Sequence, residues 1–186
     1  MKQCIFLLMT FLCVTALNAQ PDLPAIDKSP LDMSYYPDNY PVLKIRDKVT
    51  DLPIARVIYS RPKKEGRTIF GELVAYDDVW RLGANEATEI EFFVPVTVDG
   101  KKISKGRYTL YAIVKENSWT FIINKDADTW GAFKYDETKD IARVSAAAEK
   151  TSDTVETLSM KFVRTDNGFN LVVAWENTFA VLPFSL

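Results

Sequence analysis

The chain has 186 residues, enough for one domain with a sizeable core, and it contains no histidine and only two cysteines, Cys4 and Cys13. Its 23 lysine and arginine residues stand against 25 aspartate and glutamate residues. This balance lacks the basic excess of a nucleic-acid-binding protein, so we expect no nucleic-acid partner.

The first 19 residues have the anatomy of a secretory signal peptide. Lys2 gives a short basic region, an apolar run follows over Cys4–Leu17, and small residues predict cleavage after Ala19. A lipoprotein attached through Cys13 is the alternative, although Leu12 stands where attachment needs a small residue. The run is shorter than the roughly 20 apolar residues of a transmembrane helix. We expect a secreted or periplasmic protein without a transmembrane segment.

Cleavage would change the chemistry that is open to the chain. It would remove both cysteines and Lys2, leaving 22 basic against 25 acidic residues, a net charge of −3. The mature chain would then carry neither a thiol nor an imidazole. This excludes the usual cysteine and serine–histidine nucleophiles, and the ordinary zinc, copper and haem sites. We expect no cofactor and no metal.

The mature chain is predicted to begin with a leader and to continue as β-structure. Residues 20–44 are rich in proline, which predicts an extended segment that wraps the domain or stays loose. The stretch "PIARVIYSR" then alternates, so that Ala55, Val57 and Tyr59 share one face of a strand.

Turn signals separate the strands that follow. Asp99-Gly100 predicts a two-residue hairpin, Glu116-Asn117 a second, and Asn167-Gly168 the tip of a third. "IFGEL", residues 69–73, is the only helical turn that we predict. Four strands are predicted near the end of the chain, in "IARVSAAA", "VETLSMKF", "FNLVVAW" and "FAVLPFSL". Residues 45–186 are therefore predicted to form an all-β, single-domain antiparallel β-sandwich, jelly-roll-like, of about eight or nine strands.

Six stretches of this domain carry a family resemblance. They are "YSRP" (59–62), "GRTIFGELVAY" (66–76), "VWRLGANEAT" (79–88), "WTFIINKD" (119–126), "WGAFKYD" (130–136) and "VETLSMKF" (155–162). In this order they resemble the bacterial secreted family catalogued as domain of unknown function 2911, over roughly residues 45–185. The resemblance implies a secreted protein and names no activity.

The segment "WRLGANEAT", residues 80–88, holds the densest group of candidate binding side chains. With its flanks, the candidates are Tyr59, Arg61, Arg67, Trp80, Arg81, Asn85 and Glu86. Arginine presents a planar fork suited to carboxylate or phosphate, and tryptophan offers a flat face for stacking. A side-chain amide next to a carboxylate, as in Asn85 and Glu86, is common at sites that bind the hydroxyl groups of a ligand. This inventory favours a ligand-binding or interaction module for a carbohydrate or a small anionic molecule.

Two other interpretations of the segment stay open. In a metal-free hydrolase, Glu86 would act as general acid or base and Arg81 would stabilise developing negative charge. Glycosidase chemistry would need a second carboxyl group, from Asp136 or Glu156. In a purely structural envelope protein, Glu86 would instead form an ion pair with Arg81 or Arg61.

The stretch "NKDADTWG", residues 124–131, raises the question of calcium. Asn124, Asp126 and Asp128 alternate like the first ligands of an EF-hand loop. Thr129 and Tyr135 stand where that loop requires glycine and glutamate. A calcium site of another type and a solvated hairpin loop are the interpretations that remain.

Tryptophans outside this segment divide into two groups. Trp119 and Trp175 lie inside strand patterns and are predicted to be core residues. Trp130 stands in a loop beside Gly131, with Phe133 close behind it. Trp130 is therefore the candidate for an exposed stacking surface.

Overall fold

The computed structural model describes residues 22–186, in which ten strands and one short helix follow one another. The predicted signal peptide, residues 1–19, lies outside the described residues. The elements are β1 (Leu31–Tyr36), α1 (Tyr40–Ile45), β2 (Ala55–Ser60), β3 (Val79–Trp80), β4 (Glu89–Phe92), β5 (Val96–Val98), β6 (Lys101–Ile103), β7 (Gly106–Val114), β8 (Ser118–Asn124), β9 (Asp140–Thr165) and β10 (Gly168–Ser185). A single 3-10 turn, Glu137–Lys139, precedes β9.

All strand pairs are antiparallel, and the strands lie in the order β1-β2-β4-β7-β8-β9-β10-β5-β6. Strand β3 pairs with the same edge of β7 as β4 does, beyond the N-terminal end of β4. The long strand β9 takes part in both layers of the fold, because its first part pairs with β8 and the rest pairs with β10. The apolar faces of the two layers meet in a shared core. The predicted all-β, sandwich-like, single-domain fold is confirmed.

Side-chain alternation decides which residues enter this core. In β2, Ala55, Val57 and Tyr59, which the sequence pattern places on one face, are all buried. Trp119 in β8 and Trp175 in β10 are each only 1% exposed, which confirms their predicted place in the core.

Between residues 22 and 186, no helix is both long and apolar enough to cross a membrane.

Turn chemistry fixes the hairpins. Asp99 and Gly100 connect β5 to β6 with φ of +46° and +73°, the positive values that a type I′ turn requires. The β7–β8 hairpin turns at Glu116-Asn117, as predicted. The β9–β10 hairpin turns at Asp166-Asn167, one residue earlier than predicted.

The proline-rich leader contains more regular structure than its composition suggests. Its residues Leu31–Tyr36 form β1, an edge strand along β2, and Pro30 and Pro37 lie just outside the paired residues. Helix α1 carries a proline in its first turn, where the missing N–H has no partner to lose. The predicted helical turn at residues 69–73 is wrong, since this segment forms non-helical turns with Gly71 at φ +91°.

Two pairs of predicted strands are continuous in the structure. "IARVSAAA" and "VETLSMKF" both belong to β9, and the last two predicted strands both belong to β10. Polar residues at 149–154 interrupt the apolar alternation of β9, and its register with β10 shifts between the pairs at Lys150 and Val155. In β10 the break falls at Glu176, where φ is +55° and the register with β9 shifts. A bulge therefore replaces the expected turn.

Candidate functional site

The segment of residues 80–88, which holds most of the candidate binding side chains, leaves one edge of β7 and returns to it. β3 ends at Trp80 and β4 begins at Glu89, and both strands pair with the same edge. The neck between them is closed by a hydrogen bond of 3.0 Å from the Thr88 backbone N–H to the Arg81 carbonyl. Residues 81–88 are termed the excursion loop.

Backbone constraints hold the excursion loop against β2. Leu82 and Asn85 adopt left-handed conformations, with φ of +55° and +58°. A Cβ on Gly83 would lie 2.5 Å from the Ser60 Oγ, so a larger residue here would displace this hydroxyl. The Ser60 hydroxyl accepts a hydrogen bond from the Ala84 N–H (2.6 Å) and donates one to the Ala84 carbonyl (2.7 Å). The loop is therefore pre-organised by the strand beside it.

An aromatic cluster supports the neck of the loop. The Trp80 ring stacks on Trp175, with centroids 6.1 Å apart, and meets Trp119 and Phe70 edge to face. Its Nε1–H donates to the Gly83 carbonyl at 3.3 Å. With only 7% of its surface exposed, Trp80 is chiefly a core residue, and it fixes the position of the residue that follows it.

Arg81, directly after Trp80, is half-buried and has no counter-ion among residues 22–186. Its Nε is buried without a hydrogen-bond partner, and none of the ion pairs formed within residues 22–186 involves it. Burial lowers the pKa of the Arg81 guanidinium, because the charged form loses hydration. The group still stays charged at physiological pH. Arg81 is thus a partly desolvated cation, and its Nε–H has no hydrogen-bond acceptor among the described residues.

Arg67 supplies a second guanidinium to the same place. Backbone carbonyls orient it, since its Nε donates to Lys64 at 2.9 Å and its Nη2 donates to Lys63, but neither contact neutralises its charge. Arg67 and Arg81 line a cavity of about 210 Å³, termed the arginine cavity. Its other lining residues are Ser29, Pro62, Leu73, Val74, Trp80, Gly83, Ala84 and Trp175. None of these lining residues carries a carboxylate.

Tyr59 and Arg61 lie elsewhere and connect the two layers. The Arg61 guanidinium forms an ion pair with Asp32 at 2.8 Å and donates to the Leu158 carbonyl. The buried Tyr59 hydroxyl accepts a hydrogen bond of 3.0 Å from the Met160 N–H, and burial raises the pKa of this phenol. Both side chains are occupied by contacts with β9, so the structure gives them a structural role.

Asn85 and Glu86 form the tip of the excursion loop. The Asn85 carbonyl accepts a hydrogen bond from the Gly131 N–H at 3.0 Å, and Glu86 forms a β-bridge with Trp130. The exposed Glu86 lines a separate cavity of about 140 Å³ to which Arg81 does not contribute. The structure therefore does not bring Glu86 and Arg81 together, either as an ion pair or as partners in catalysis.

The carboxylates considered as partners for Glu86 have local roles. Asp136 accepts a hydrogen bond from the Thr138 N–H at 3.0 Å and caps the 3-10 turn. The hydrogen bonds from the Thr138 hydroxyl and from its N–H together lower the pKa of the Asp136 carboxyl. Glu156 accepts from the Glu65 N–H at 2.8 Å. Neither side chain is found with Glu86 at a shared cavity in the described part of the chain.

The two aspartates considered as calcium ligands have basic partners. Asp126 pairs with Lys139 at 2.9 Å, and Asp128 pairs with Arg107. Within residues 22–186, no group of three or more potential ligand side chains is arranged to hold a metal ion.

Trp175 and Ser60 were missed as site residues in the sequence. Trp175 comes from β10, far along the chain from Trp80, and reaches the arginine cavity through stacking across the core. In the sequence, Ser60 has no feature that distinguishes it from other strand residues. Gly83 gave the one usable signal, because a glycine beside polar residues often marks a close backbone approach.

Comparisons with known proteins agree with the resemblance seen in the motifs. No curated protein and no solved structure matches the chain. The family described as protein of unknown function (DUF2911) matches residues 41–184, a range that includes the whole excursion loop. The chain belongs to this DUF2911 family.

Proposed function

We propose that the protein binds a small anionic molecule, a carboxylate or a phosphate compound, in the arginine cavity. The charge of the cavity carries the proposal, because Arg67 and Arg81 both line it and no lining residue is acidic. Two planar guanidinium groups provide several N–H donors for the oxygens of such a ligand.

The surroundings of Arg81 support this proposal. A buried donor without a partner costs about 1–3 kcal/mol, and more when the group is charged. An anionic oxygen in the cavity would supply the acceptor that the Arg81 Nε lacks. The desolvation that lowers the pKa of this guanidinium also strengthens its attraction to an anion, because the local dielectric constant is reduced.

The dimensions and walls of the cavity limit the ligand. Its volume of about 210 Å³ is below the roughly 300–1,000 Å³ of pockets for drug-sized ligands. Trp80 and Trp175 line the cavity with only 7% and 1% of their surfaces exposed, so the two guanidinium groups supply most of the contacts and a small anion fits best. The contacts of Ser60 and Trp80 already order the loop, and binding therefore requires little further ordering.

Binding is favoured over the two other interpretations of the segment. A hydrolase built on Arg81 and Glu86 would need both side chains at one cavity, and they line different ones. A purely structural segment would pair Arg81 with a carboxylate, and Arg81 takes part in none of the ion pairs among the described residues. The signal peptide expected at residues 1–19 would place this binding in the periplasm or outside the cell.

A thermal-shift screen tests the proposal, with phosphate, phenyl phosphate, succinate and benzoate as probes. At about 100 times its Kd, a ligand stabilises a protein by about 2.7 kcal/mol, which is a rise in melting temperature of roughly 5–10 °C for a domain of this size. We expect such a rise in the wild type for at least one probe, and little or none in Arg81→Met or Arg67→Gln.

Arg46→Gln is the matched control, because Arg46 is exposed and lies outside the arginine cavity. It removes the same charge and should leave the shift unchanged. The proposal fails if no probe shifts the wild type, or if all three variants respond as the wild type does.

A further inference from the structure

A third cavity, of about 580 Å³, lies at the loop of residues 125–139, beside the tip of the excursion loop. Trp130 and Phe133 line it with 61% and 84% of their surfaces exposed, although aromatic side chains of this size are normally buried. Large exposed apolar side chains at a concave surface mark contact sites. This feature is termed the aromatic cavity.

The aromatic side chains stand on a firmly anchored loop. The Gly131 N–H donates to the Asn85 carbonyl, and the Ala87 N–H donates to the Thr129 carbonyl, both at 3.0 Å. The Phe133 ring packs directly over Gly131, where an added Cβ would lie 2.7 Å from the Phe133 Cε2. Trp130 and Phe133 are therefore presented to solvent by fixed contacts.

The far end of the same loop is tied to β9. The Tyr135 hydroxyl donates to the Asp140 carboxylate at 2.6 Å and accepts from the Arg143 Nη2 at 2.6 Å. The Asn124 Nδ2 reaches the same carboxylate at 2.8 Å. A loop that is fixed at both ends can bind a partner with little loss of conformational entropy.

The charges that line the aromatic cavity cancel. Two acidic residues, Asp126 and Asp128, face two basic residues, Lys134 and Lys139. The Lys139 Nζ lies 2.9 and 3.0 Å from the two Asp126 carboxylate oxygens, so a donor and an acceptor stand side by side. Such a pair suits neighbouring hydroxyl groups, because each hydroxyl both donates and accepts. Nothing in this lining favours a ligand with net charge.

We infer that the aromatic cavity binds a neutral oligosaccharide. The apolar C–H face of a sugar ring would stack on Trp130 and Phe133, while its hydroxyl groups would bond to Asp126 and Lys139. The volume of the cavity lies within the roughly 300–1,000 Å³ range of small-molecule sites. This inference does not depend on the proposed function of the arginine cavity, since no residue lines both cavities.

Acrylamide quenching of tryptophan fluorescence tests the inference, with cellohexaose, maltohexaose and chitohexaose as probes. Trp130 is the one exposed tryptophan of the four, so it dominates the quenchable emission. We expect at least one probe to protect Trp130 from acrylamide. Calorimetry with that probe should show that Trp130→Ala weakens binding by roughly tenfold or more, and that Phe133→Ala weakens it less. Trp130→Phe keeps an aromatic face and should retain most of the affinity.

Tyr76→Ala is the matched control, because Tyr76 is also an exposed aromatic packed against a glycine, Gly71, and it lies outside the cavity. It should bind the probe as the wild type does. The inference is overturned if no probe binds, or if Trp130→Ala binds as tightly as the wild type. Protection of Trp130 that appears without sugar and grows with protein concentration would also overturn it, because the surface would then be a contact between copies of the chain.

Discussion

The arginine cavity and the aromatic cavity lie at the neck and at the tip of the same excursion loop, yet they use tryptophan and charge in opposite ways. At the neck, Trp80 is buried and the lining has two cations without an anion. At the tip, Trp130 is exposed and the lining charges cancel. The same residue type is therefore a buried support in one place and is presented to solvent in the other.

The difference shows how the fold can hold an unpaired cation. Arg81 follows a tryptophan that is stacked on Trp175 and wedged against Trp119, so its backbone cannot move away. The stability of this aromatic cluster offsets the cost of the unpaired donor. The loop at the tip needs no such support, because both of its aspartates at the cavity are paired and Tyr135 is bonded to Asp140 at the start of β9.

Replacing Trp80 and Trp130 by alanine should have very different effects on stability. Trp80→Ala should lower the free energy of unfolding by about 3–5 kcal/mol, because it leaves a cavity among packed aromatic rings. Trp130→Ala should change it by no more than about 0.5 kcal/mol, because the side chain is exposed. Urea unfolding of both variants measures the difference. Equal losses would show that Trp130 is a core residue or that Trp80 is not.

A smaller effect concerns the anchor of the aromatic loop at high pH. Burial, together with the hydrogen bond to Asp140, raises the pKa of Tyr135 from 10.0 to about 12. The folded state thus keeps the phenol proton to higher pH than the unfolded state does. The stability that this group contributes is complete below pH 10 and is lost as the pH rises to about 12.

Tyr135→Phe should therefore lose less of its stability over this pH interval than the wild type. Urea midpoints measured across the interval give the two slopes. Tyr59 and Tyr108, which also have raised pKa values, remain in both proteins, so the difference isolates Tyr135. Parallel slopes would show that Tyr135 titrates normally and does not anchor the loop.

Local patterns predicted much of the fold. The alternation in β2 placed Ala55, Val57 and Tyr59 on one face, and Asp99-Gly100 located a hairpin, because both signals act between near neighbours. The continuity of β9 was not predictable in this way. Its polar middle section looks like a break, and the strand stays in the sheet because it pairs with β10 on both sides of a register shift. Strand β1 was hidden for a related reason, since it gains its partners only when the leader reaches β2.

The sequence located part of the candidate site and could not assemble it. Trp80 and Arg81 are neighbours, and Arg67 was singled out as a third member, but their shared cavity depends on Trp175 from the last strand. The expectation that polar residues close in sequence act together was misleading for Glu86. It stands at the tip of the loop, while Arg81 stands at the neck.

The free energy of unfolding of Arg81→Met, compared with the wild type in a buffer free of phosphate and carboxylates, tests the central claim most directly. If Arg81 is there for an anionic ligand, methionine should leave stability unchanged or raise it by up to about 1–3 kcal/mol, because it removes a buried donor without a partner. A loss of about 3–5 kcal/mol, as when a buried ion pair is broken, would contradict the claim and make Arg81 a structural residue.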